Sequence, residues 1–448
     1  MWADFLYLKK YFLKLLILGS GAREHAFCWK VSQSDLCTRL FIAPGNAGTA
    51  QYGENINIGV MDFEGIRNMC IEKKIDLVIV GPEEPLVNGI YDFFKNDPQL
   101  NHIIITGPSA SGAMLEGSKA FSKAFMQRHN IPTANYKEFD EGSFNEGIDY
   151  LKQHSLPIVI KADGLAAGKG VIICSSTIEA ISEFEQMIQK SKFGSAGNRV
   201  VIEQFLDGIE LSVFVLTDGN GYSLFPEAKD YKKIFEGDKG PNTGGMGAVS
   251  PVPFATEIFM DKVTKKIIEP TIKGLRDEKI DYKGFIFFGL IKVEDEPMVI
   301  EYNCRMGDPE TETVLLRLKN DLVKLIILSE RQGLHNEKII IDSKAAATIV
   351  AVSGGYPADY KKGYEINFNY LENPEAIKHI GLNGGVMVFH GGTEAEGEKA
   401  ITSGGRVLAV SSLAGSLAEA IELSNETLDQ INFEGMYFRK DIGYEFID

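Results

Sequence analysis

Three polar side chains near residue 300 have the types and the spacing of a metal and anion site. The segment VIEYNCRMGDPETE spans residues 299–312, and its first half reads as a β-strand. Side chains alternate between the two faces of a strand, so Glu301 and Asn303 share a face, and Arg305 joins them if the strand continues. Two oxygen ligands suit Mg²⁺, and an arginine fork suits a carboxylate or a phosphate. A plain polar strand end is the alternative, but it explains three aligned groups poorly.

A glycine-rich loop with lysines near both ends follows the apolar strand at residues 157–160. The loop reads KADGLAAGKG, and its small residues let the backbone approach a ligand closely. Lys161 and Lys169 can neutralise phosphate charge. A P-loop would continue into a helix, whereas this loop runs into another apolar strand. The sequence therefore predicts a hairpin-like flap over phosphates, with a solvated loop as the alternative; its three glycines are Gly164, Gly168 and Gly170.

Two further stretches could complete a nucleotide site. The run VVIEQFLDGIELSVFVL, residues 200–216, places Glu203 and Glu210 around a bend between apolar strands. One acid suits a nucleobase amine and the other a ribose hydroxyl, although either alone could be a solvated strand-end acid. The run GPNTGGMG, residues 240–247, is either a turn-rich linker or a source of backbone amides for an anionic substrate, at Asn242, Thr243 and Gly244.

The turn GSGARE, residues 19–24, tests a dinucleotide-binding interpretation. That fingerprint needs a third glycine where this chain has Glu24, and an acid after the second strand, where RLFIAPGN has none. A nicotinamide-dependent oxidoreductase is therefore disfavoured. The remaining features, Gly19, Ser20 and Gly21 before a helix, suit a phosphate monoester or a tight structural turn.

Alternating strands and helices must position these groups. Residues 14–118 hold apolar strands (KLLILGSG, RLFIAPG, DLVIVGPEEP, HIIITGPS) separated by helical patterns, which predicts a parallel, doubly wound α/β sheet. Ligands of such sheets bind at the carboxyl ends of the strands, where the glycines lie. The region 341–448 contains short strands cut by Gly-Gly turns and is predicted to be a small β-rich domain.

Composition limits the class of protein. The net charge of −16, from 46 basic and 62 acidic residues, disfavours a broad nucleic-acid-binding face. The five cysteines are scattered and form no CxxC pair, as expected of a cytoplasmic protein without disulfides or a zinc site. No apolar stretch is long enough for a membrane span, and residues 1–13 form an extension of unknown role.

Taken together, these motifs resemble those of the phosphoribosylamine–glycine ligases, the glycinamide ribonucleotide synthetases of the ATP-grasp superfamily. The resemblance covers about residues 14–448. Its most specific motif is RMGDPETETV, whereas the glycine flap alone indicates only an ATP-grasp enzyme. The matching runs, in family order, are GSGAREHA, APGNAGTA, GPEEPLVNGI, LEGSKAF, IKADGLAAGKGV, GPNTGGMGAVSP and RMGDPETETV.

The resemblance implies a fold and a reaction. It implies an N-terminal substrate-binding domain at 14–118, an ATP-grasp domain of two α+β subdomains at 119–340 with a flap at about 132–205, and a β-rich domain at 341–448. It implies that ATP, glycine and 5-phosphoribosylamine give glycinamide ribonucleotide, ADP and phosphate through glycyl phosphate, in the purine pathway. The implied cofactors are ATP and Mg²⁺ or Mn²⁺, and the implied partners are small molecules, with a monomer expected and a dimer as the alternative.

By the same resemblance, each candidate residue acquires a role. ATP would contact Lys119, Lys161, the flap and Glu203, with Glu210 on the ribose. Glu301 and Asn303 would hold the metal, and Arg305 and Asp230 would hold the carboxylate and the amine of glycine. The phosphoribosylamine would be held by the GPNTGG loop and by Gly19, Ser20, Gly21 and Asn46.

The sequence departs from the family pattern at two places, and two other functions are alternatives to the ligase. Lys233 stands where the family commonly has an arginine, and GFIFFGLIKV, residues 284–293, offers no second metal acid. A carboxylase of the ATP-grasp type, acting on a ribonucleotide or on biotin, would share the flap and the metal pair but should lack GPNTGGMG and RMGDPE. The loss of Glu301, Asn303 or Arg305 would favour a nucleotide-binding sensor without catalysis, but all three residues are present.

Overall fold

The structure is a computed structural model that describes residues 12–165, 170–190, 192, 197–369, 381 and 385–447. Two predicted flap residues, Gly168 and Lys169, and most of the predicted extension lie outside the described residues. The first strand begins at Leu13, one residue earlier than predicted. Among the described residues, no helix is both long and apolar enough to cross a membrane.

The N-terminal region forms the predicted parallel sheet. Its strands are β1 Leu13–Gly19, β2 Cys37–Pro44, β3 Glu54–Asn55, β4 Leu77–Val80 and β5 Ile104–Pro108, in the order β5-β4-β1-β2-β3. Its helices are α1 Ala22–Val31, α2 Phe63–Lys73, α3 Glu83–Val87, α4 Ile90–Asn96 and α5 Ala110–Gly117. Leu15 and Ile17 of β1 pack in one core and Leu16 and Leu18 in another. Both faces of the sheet are therefore covered, which explains why the strands read as continuous apolar runs.

The flap region follows helix α6, Lys119–Arg128. It contains an antiparallel sheet in the order β6-β9-β7-β8, covered on one face by two helices. Its elements are β6 Tyr136–Asp140, α7 Phe144–Gln153, β7 Ile158–Ala162, β8 Val171–Cys174, α8 Thr177–Ile188 and β9 Arg199–Gln204. Strands β7 and β8 pair directly, which confirms the predicted hairpin at the glycine loop.

The central region joins its strands to both neighbouring sheets. Its strands are β10 Ile209–Thr217, β11 Tyr222–Leu224, β12 Lys229–Asp230, β13 Lys233–Phe235, β14 Lys239–Asn242, β15 Gly247–Ser250, β16 Tyr282–Val293 and β17 Glu296–Asn303. Its helices are α9 Glu257–Val263, a π-helical turn Thr264–Ile268, α10 Glu269–Asp277, α11 Glu310–Arg317 and α12 Leu322–Glu330. Strand β16 pairs with β5, so one nine-stranded sheet crosses the predicted boundary at residue 118.

The C-terminal region forms a five-stranded sheet in the order β12-β15-β18-β23-β20. Its own elements are β18 Ala345–Val352, β19 Asn367–Phe368, β20 Val386–His390, β21 Thr393–Glu396, β22 Lys399–Thr402, β23 Arg406–Ala414, α13 Leu417–Leu428 and β24 Ile431–Asn432. Two strands of this sheet come from the central region. Asp230 consequently lies on an edge strand of the C-terminal sheet, paired with Ala248.

We predict that a buried chain of hydroxyl groups stabilises the junction between α11 and the C-terminal sheet. The Thr348 hydroxyl lies 2.6 Å from that of Thr313 and 2.8 Å from that of Ser411, and all three residues are fully buried. Thr348→Val keeps the shape but leaves two buried hydroxyls without this partner. The expected loss is about 1–3 kcal/mol in the free energy of unfolding, measured by urea denaturation.

The matched control is Thr264→Val, at a half-buried position on the surface π-turn. It should change the free energy of unfolding by less than about 0.5 kcal/mol. Equal stability of Thr348→Val and the parent protein would show that the hydroxyl chain contributes nothing.

Candidate active site

A cleft of about 730 Å³ lies where the flap, the nine-stranded sheet and the C-terminal sheet meet. Its walls bring together predicted site residues that are up to about 190 residues apart along the chain. The predicted site residues that line it are Lys119, Lys161, Gly164, Gly170, Glu203, Glu210, Asp230, Asn242, Thr243, Gly244, Glu301, Asn303 and Arg305.

Glu301 and Asn303 lie on the cleft side of strand β17. Glu301 pairs in register with Gly289 of β16, and a Cβ at Gly289 would lie only 3.0 Å from the Glu301 Cγ. The glycine thus leaves room for the carboxylate, and β16 offers no acid opposite it, as the sequence predicts. Among the described residues, no group of three or more His, Cys, Asp or Glu side chains could hold a metal. The two oxygen donors nevertheless fit an ion that takes its other ligands from phosphates and water.

Arg305 reaches the cleft in a different way from the one predicted. The strand ends at Asn303, so the condition under which Arg305 would continue the alternation is not met. The guanidinium instead lies between two acids, with Nη2 at 2.7 Å from Glu116 and Nε at 3.3 Å from Glu83. Its Nε is buried without an aligned hydrogen bond. Arg305 is therefore fixed from the N-terminal side of the cleft and still offers N–H groups to an anion.

Lys119 and Asp163 fasten the base of the glycine loop to helix α6. The Lys119 Nζ donates to the carbonyl of Gly164 at 2.9 Å. The Asp163 carboxylate accepts from the Ser118 hydroxyl at 2.9 Å and from the Ala120 amide at 3.1 Å. At the other end of the loop, the Ala162 amide donates to Gly170 at 2.8 Å. These contacts hold both ends of the flap loop next to the cleft.

Glu203 and two lysines form a buried ion triad on the flap side. One oxygen, Oε2, lies 2.9 Å from the Lys123 Nζ and 3.0 Å from the Lys161 Nζ. Burial alone would raise the pKa of Glu203, but Lys161 and Lys123 hold it below its usual value. Burial lowers the pKa of Lys123 to about 8 against the opposing effect of Glu203. Glu203 is thus an ionised acceptor inside the cleft.

A second charge cluster surrounds Asp230. Lys232 lies 2.6 Å from Glu210 and 3.9 Å from Asp230, so the predicted ribose acid already has a cationic partner. Burial raises the pKa of Asp230, with Lys232 opposing. Burial and the nearby Asp230 raise the pKa of Glu310 to about 7, and Glu310 also accepts from the Ser212 hydroxyl at 3.1 Å. Burial and the charge of Asp230 therefore both disfavour the ionised form of Glu310.

The Ser20–Gly21 turn faces a smaller cavity of about 150 Å³. Arg406 and Asp308 line both this cavity and the large cleft, so the two spaces adjoin. The Arg406 Nη1 donates to the carbonyls of Gly244 and Asp308, each at 2.7 Å, and lies 3.1 Å from the Asp308 carboxylate. A fixed arginine therefore stands between the Ser-Gly turn and the GPNTGG loop, which suits an anionic group.

The carboxylate of Glu24 fills the first glycine turn. It accepts from the Gly21 amide at 2.6 Å, and a Cβ at Gly19, whose φ is +128°, would lie 2.5 Å from its Cγ. Glu24 thus places a carboxylate where the fingerprint needs a glycine, which disfavours a dinucleotide pyrophosphate here, in line with the sequence.

Asn46 hydrogen-bonds to the same turn but does not line the cavity. Its amide nitrogen donates to the carbonyls of Ser20 and His390, at 2.9 and 2.6 Å, and its oxygen accepts from the amides of Gly48 and Thr49. The side chain of Asn46 is thus occupied with backbone partners, and the contact of Asn46 with substrate stays a prediction. Lys233 lies on β13 and does not itself line the cleft, although its chain neighbour Lys232 and its strand partner Asn242 do.

Several groups of the cleft were given no role from the sequence, although Glu83, Glu116, Asp308 and Glu310 lie inside the quoted motifs. One signal was available, since Lys119 and Lys123 are four residues apart and so share a face of a helix. The others become neighbours only through the fold; the missed residues are Glu83, Glu116, Lys123, Lys232, Asp308, Glu310 and Arg406.

Comparison with known proteins identifies the family. Three sequence models of phosphoribosylglycinamide synthetase match: the N domain at residues 13–116, the ATP-grasp (A) domain at 117–311 and the C domain at 346–445. A phosphoribosylamine–glycine ligase from Vibrio cholerae is 44% identical over 438 residues, covering 97% of this chain and 99% of the relative.

Solved structures agree with this comparison. The crystal structure of a phosphoribosylamine–glycine ligase from Thermotoga maritima has a TM-score of 0.81 and 32% identity, and the match covers 96% of this chain and all of that one. A biotin carboxylase domain from Hydrogenobacter thermophilus, solved with MgADP and bicarbonate, matches at a TM-score of 0.70. That match covers 96% of this chain and 92% of the other, and its 16% identity shows a shared fold only.

These findings confirm the predicted fold class and an ATP-dependent ligase of purine biosynthesis, and they do not favour the carboxylase or the sensor. The chain belongs to the phosphoribosylglycinamide synthetase family.

Proposed function

We propose that this protein joins glycine to 5-phosphoribosylamine with ATP, giving glycinamide ribonucleotide, ADP and phosphate. One observation carries the proposal: a single cleft collects Lys119 and Lys161, the oxygen pair Glu301 and Asn303, and Arg305, in a chain of this family. The protein acts on small molecules in the cytoplasm, as a monomer of three domains at 14–118, 119–340 and 341–448, with the flap at about 132–205.

The reaction has two steps, phosphoryl transfer to glycine and then acyl transfer to the amine. A carboxylate oxygen of glycine attacks the γ-phosphorus of ATP, the bond to the β-phosphate oxygen breaks, and ADP leaves. The amine of phosphoribosylamine then attacks the acyl carbon of glycyl phosphate, and phosphate leaves with the transferred oxygen while the amine loses a proton. Phosphoryl transfer requires positioning and charge neutralisation more than covalent help from the protein. The cleft supplies both.

ATP would lie between the flap and the central sheet. The phosphates would be neutralised by Lys119, Lys161 and Lys169. The backbone of the flap loop would approach them closely at Gly164, Gly168 and Gly170. Glu203 accepts from the base and Glu210 from the ribose. Glu301 and Asn303 would hold Mg²⁺ or Mn²⁺, which supplies positive charge next to the phosphates when it is bound.

Glycine and the phosphoribosylamine would enter from the other side. Arg305, braced by Glu116, binds the glycine carboxylate, and Asp230 receives its ammonium group, whose charge favours ionised Asp230. The turn at Gly19, Ser20 and Gly21 and the loop at Asn242, Thr243 and Gly244 hold the phosphoribosylamine. Arg406 lies between that turn and that loop and attracts the phosphate of phosphoribosylamine.

Phosphate release from ATP tests the proposal. The protein is incubated with ATP, Mg²⁺ and freshly made phosphoribosylamine, with and without glycine, and the product is identified by mass spectrometry. Release that requires both substrates and yields glycinamide ribonucleotide supports the ligase. Release driven by bicarbonate in place of glycine would assign a carboxylase instead, and the absence of release would leave a nucleotide-binding sensor.

Glu301→Ala should reduce turnover by at least about 1,000-fold without unfolding the protein. The substitution removes one of two oxygen donors from a cleft that must neutralise a triphosphate, and such electrostatic contributions are large. The control is Glu296→Ala on the same strand, at an exposed residue that pairs with Lys262 and Lys266. It should stay within about twofold of the parent. Near-normal activity of Glu301→Ala at saturating Mg²⁺ would exclude Glu301 as a metal ligand.

Arg305→Lys should raise the KM for glycine by about 10- to 100-fold, because a point charge replaces a fork that makes two charge-assisted hydrogen bonds. The KM for ATP should change much less. Arg128→Lys, at an exposed pair with Glu278, is the control. An unchanged KM for glycine in steady-state kinetics would refute the assigned role.

A further inference from the structure

Lys123 is tied into the cleft from two sides, yet no motif or role accounts for it. Its Nζ lies 2.9 Å from the Glu203 Oε2 and donates to the Thr133 hydroxyl at 2.7 Å. The Thr133 hydroxyl in turn donates a hydrogen bond to the carbonyl of Val299, also at 2.7 Å. The Lys123 side chain is 2% exposed. Its ammonium group is therefore held in one position by the fold.

The two lysines on Glu203 have different freedom. Lys161 also donates to the carbonyl of Ile300, at 3.3 Å, and stands at the start of the glycine loop. Lys161 is also one of the lysines proposed to neutralise the phosphates. Lys123 lies one helical turn into α6, where it also donates to the Thr133 hydroxyl and lies 5.8 Å from the centre of the Tyr136 ring. Lys123 is thus the lysine that remains paired with Glu203 when Lys161 shares its charge with a bound phosphate.

The other oxygen of Glu203 points to a ligand. Oε1 is buried and has no hydrogen-bond partner among the described residues. A buried carboxylate oxygen without a donor is costly, and an ionised carboxylate can only accept. The ligand group that satisfies Oε1 must therefore be an N–H or O–H donor.

The surroundings of Glu203 fit a flat ring. Val159 pairs in register with Glu203 and also with Ile173, so the three side chains stand in one row on one face of the flap sheet. Ile173 is 53% exposed although it is apolar, and Met126 and Leu206 line the same cleft. An exposed apolar row beside an unpartnered acceptor is the arrangement that a nucleobase with an amino group would complete.

We propose that Lys123 is a positioning residue that fixes Glu203 so that its free oxygen selects purine nucleotides with a 6-amino group over those with a 6-oxo group. The inference rests on the proposed nucleotide site. An oxo group would place its lone pairs against an ionised Oε1, and a site built around an N–H donor rejects such analogues strongly. Without Lys123, Glu203 keeps only Lys161 as a counter-charge and loses the contact that fixes its orientation, so its discrimination between a 6-amino and a 6-oxo group should weaken.

The test compares ATP with GTP in Lys123→Met, a substitution of similar length without the charge. The KM for ATP should rise by about 10- to 100-fold, while kcat with saturating ATP changes by less than about threefold. The ratio of kcat/KM for ATP to that for GTP should fall by at least about 10-fold. Calorimetric titration with ADP and GDP should show the same loss of discrimination without turnover.

A second variant keeps the inference testable if Lys123→Met does not fold. Thr133→Val preserves shape and removes one acceptor of Lys123, so the KM for ATP and the ATP:GTP ratio should move in the same directions by about 3- to 10-fold. Lys152→Met, at an exposed pair with Asp149 on α7, should leave all values unchanged.

Two results would overturn the inference. One is an unchanged ATP:GTP ratio in both variants, and the other is a fall in kcat with an unchanged KM for ATP. Failure of the proposed function is distinguishable, because it would appear in the parent protein as the absence of glycine-dependent phosphate release, whereas the calorimetric comparison of ADP with GDP requires no turnover.

Discussion

The cleft depends on buried charges that neutralise one another before any substrate arrives. Lys123 and Lys161 share one oxygen of Glu203, and Arg305 lies against Glu116. Isolated charges at these depths would carry desolvation penalties of several kcal/mol each, so each must have a partner in the free protein. The same pairs preorganise the site, because a polyanionic nucleotide can take over part of the lysine charge without large side-chain movement.

The architecture supplies each member of these pairs from a different layer. The nine-stranded sheet carries Glu301 and Asn303 to the cleft, and the N-terminal helices add Glu83 and Glu116. The C-terminal sheet contributes Asp230 through its short edge strand β12 and Arg406 through β23. The flap contributes Lys161 and Glu203 on the face that its helices leave uncovered. Closure of the flap would keep water from an acyl phosphate, which water would otherwise hydrolyse.

Local patterns explain what the sequence predicted well. The parallel sheet followed from continuous apolar runs between glycine turns, and the pair Glu301 and Asn303 followed from the two-residue period of a strand. The same period failed at Arg305, because the chain leaves the strand after Asn303 and the arginine is held by acids from another layer. Lys123 was not recognised, since a helical lysine is normally solvated and only the long-range contact with Glu203 reveals its burial. Arg406 meets Asp308 and Gly244 across about 100 and 160 residues of chain, a distance over which periodicity carries no information.

The central claim is that the cleft activates the carboxylate of glycine by phosphoryl transfer from ATP. Glycine labelled with ¹⁸O in both carboxylate oxygens tests this directly, with the inorganic phosphate examined by ³¹P NMR or mass spectrometry after a single turnover. Attack by the carboxylate on the γ-phosphorus predicts that each phosphate released carries one ¹⁸O from glycine. Phosphate without label, formed in step with glycinamide ribonucleotide, would contradict the account.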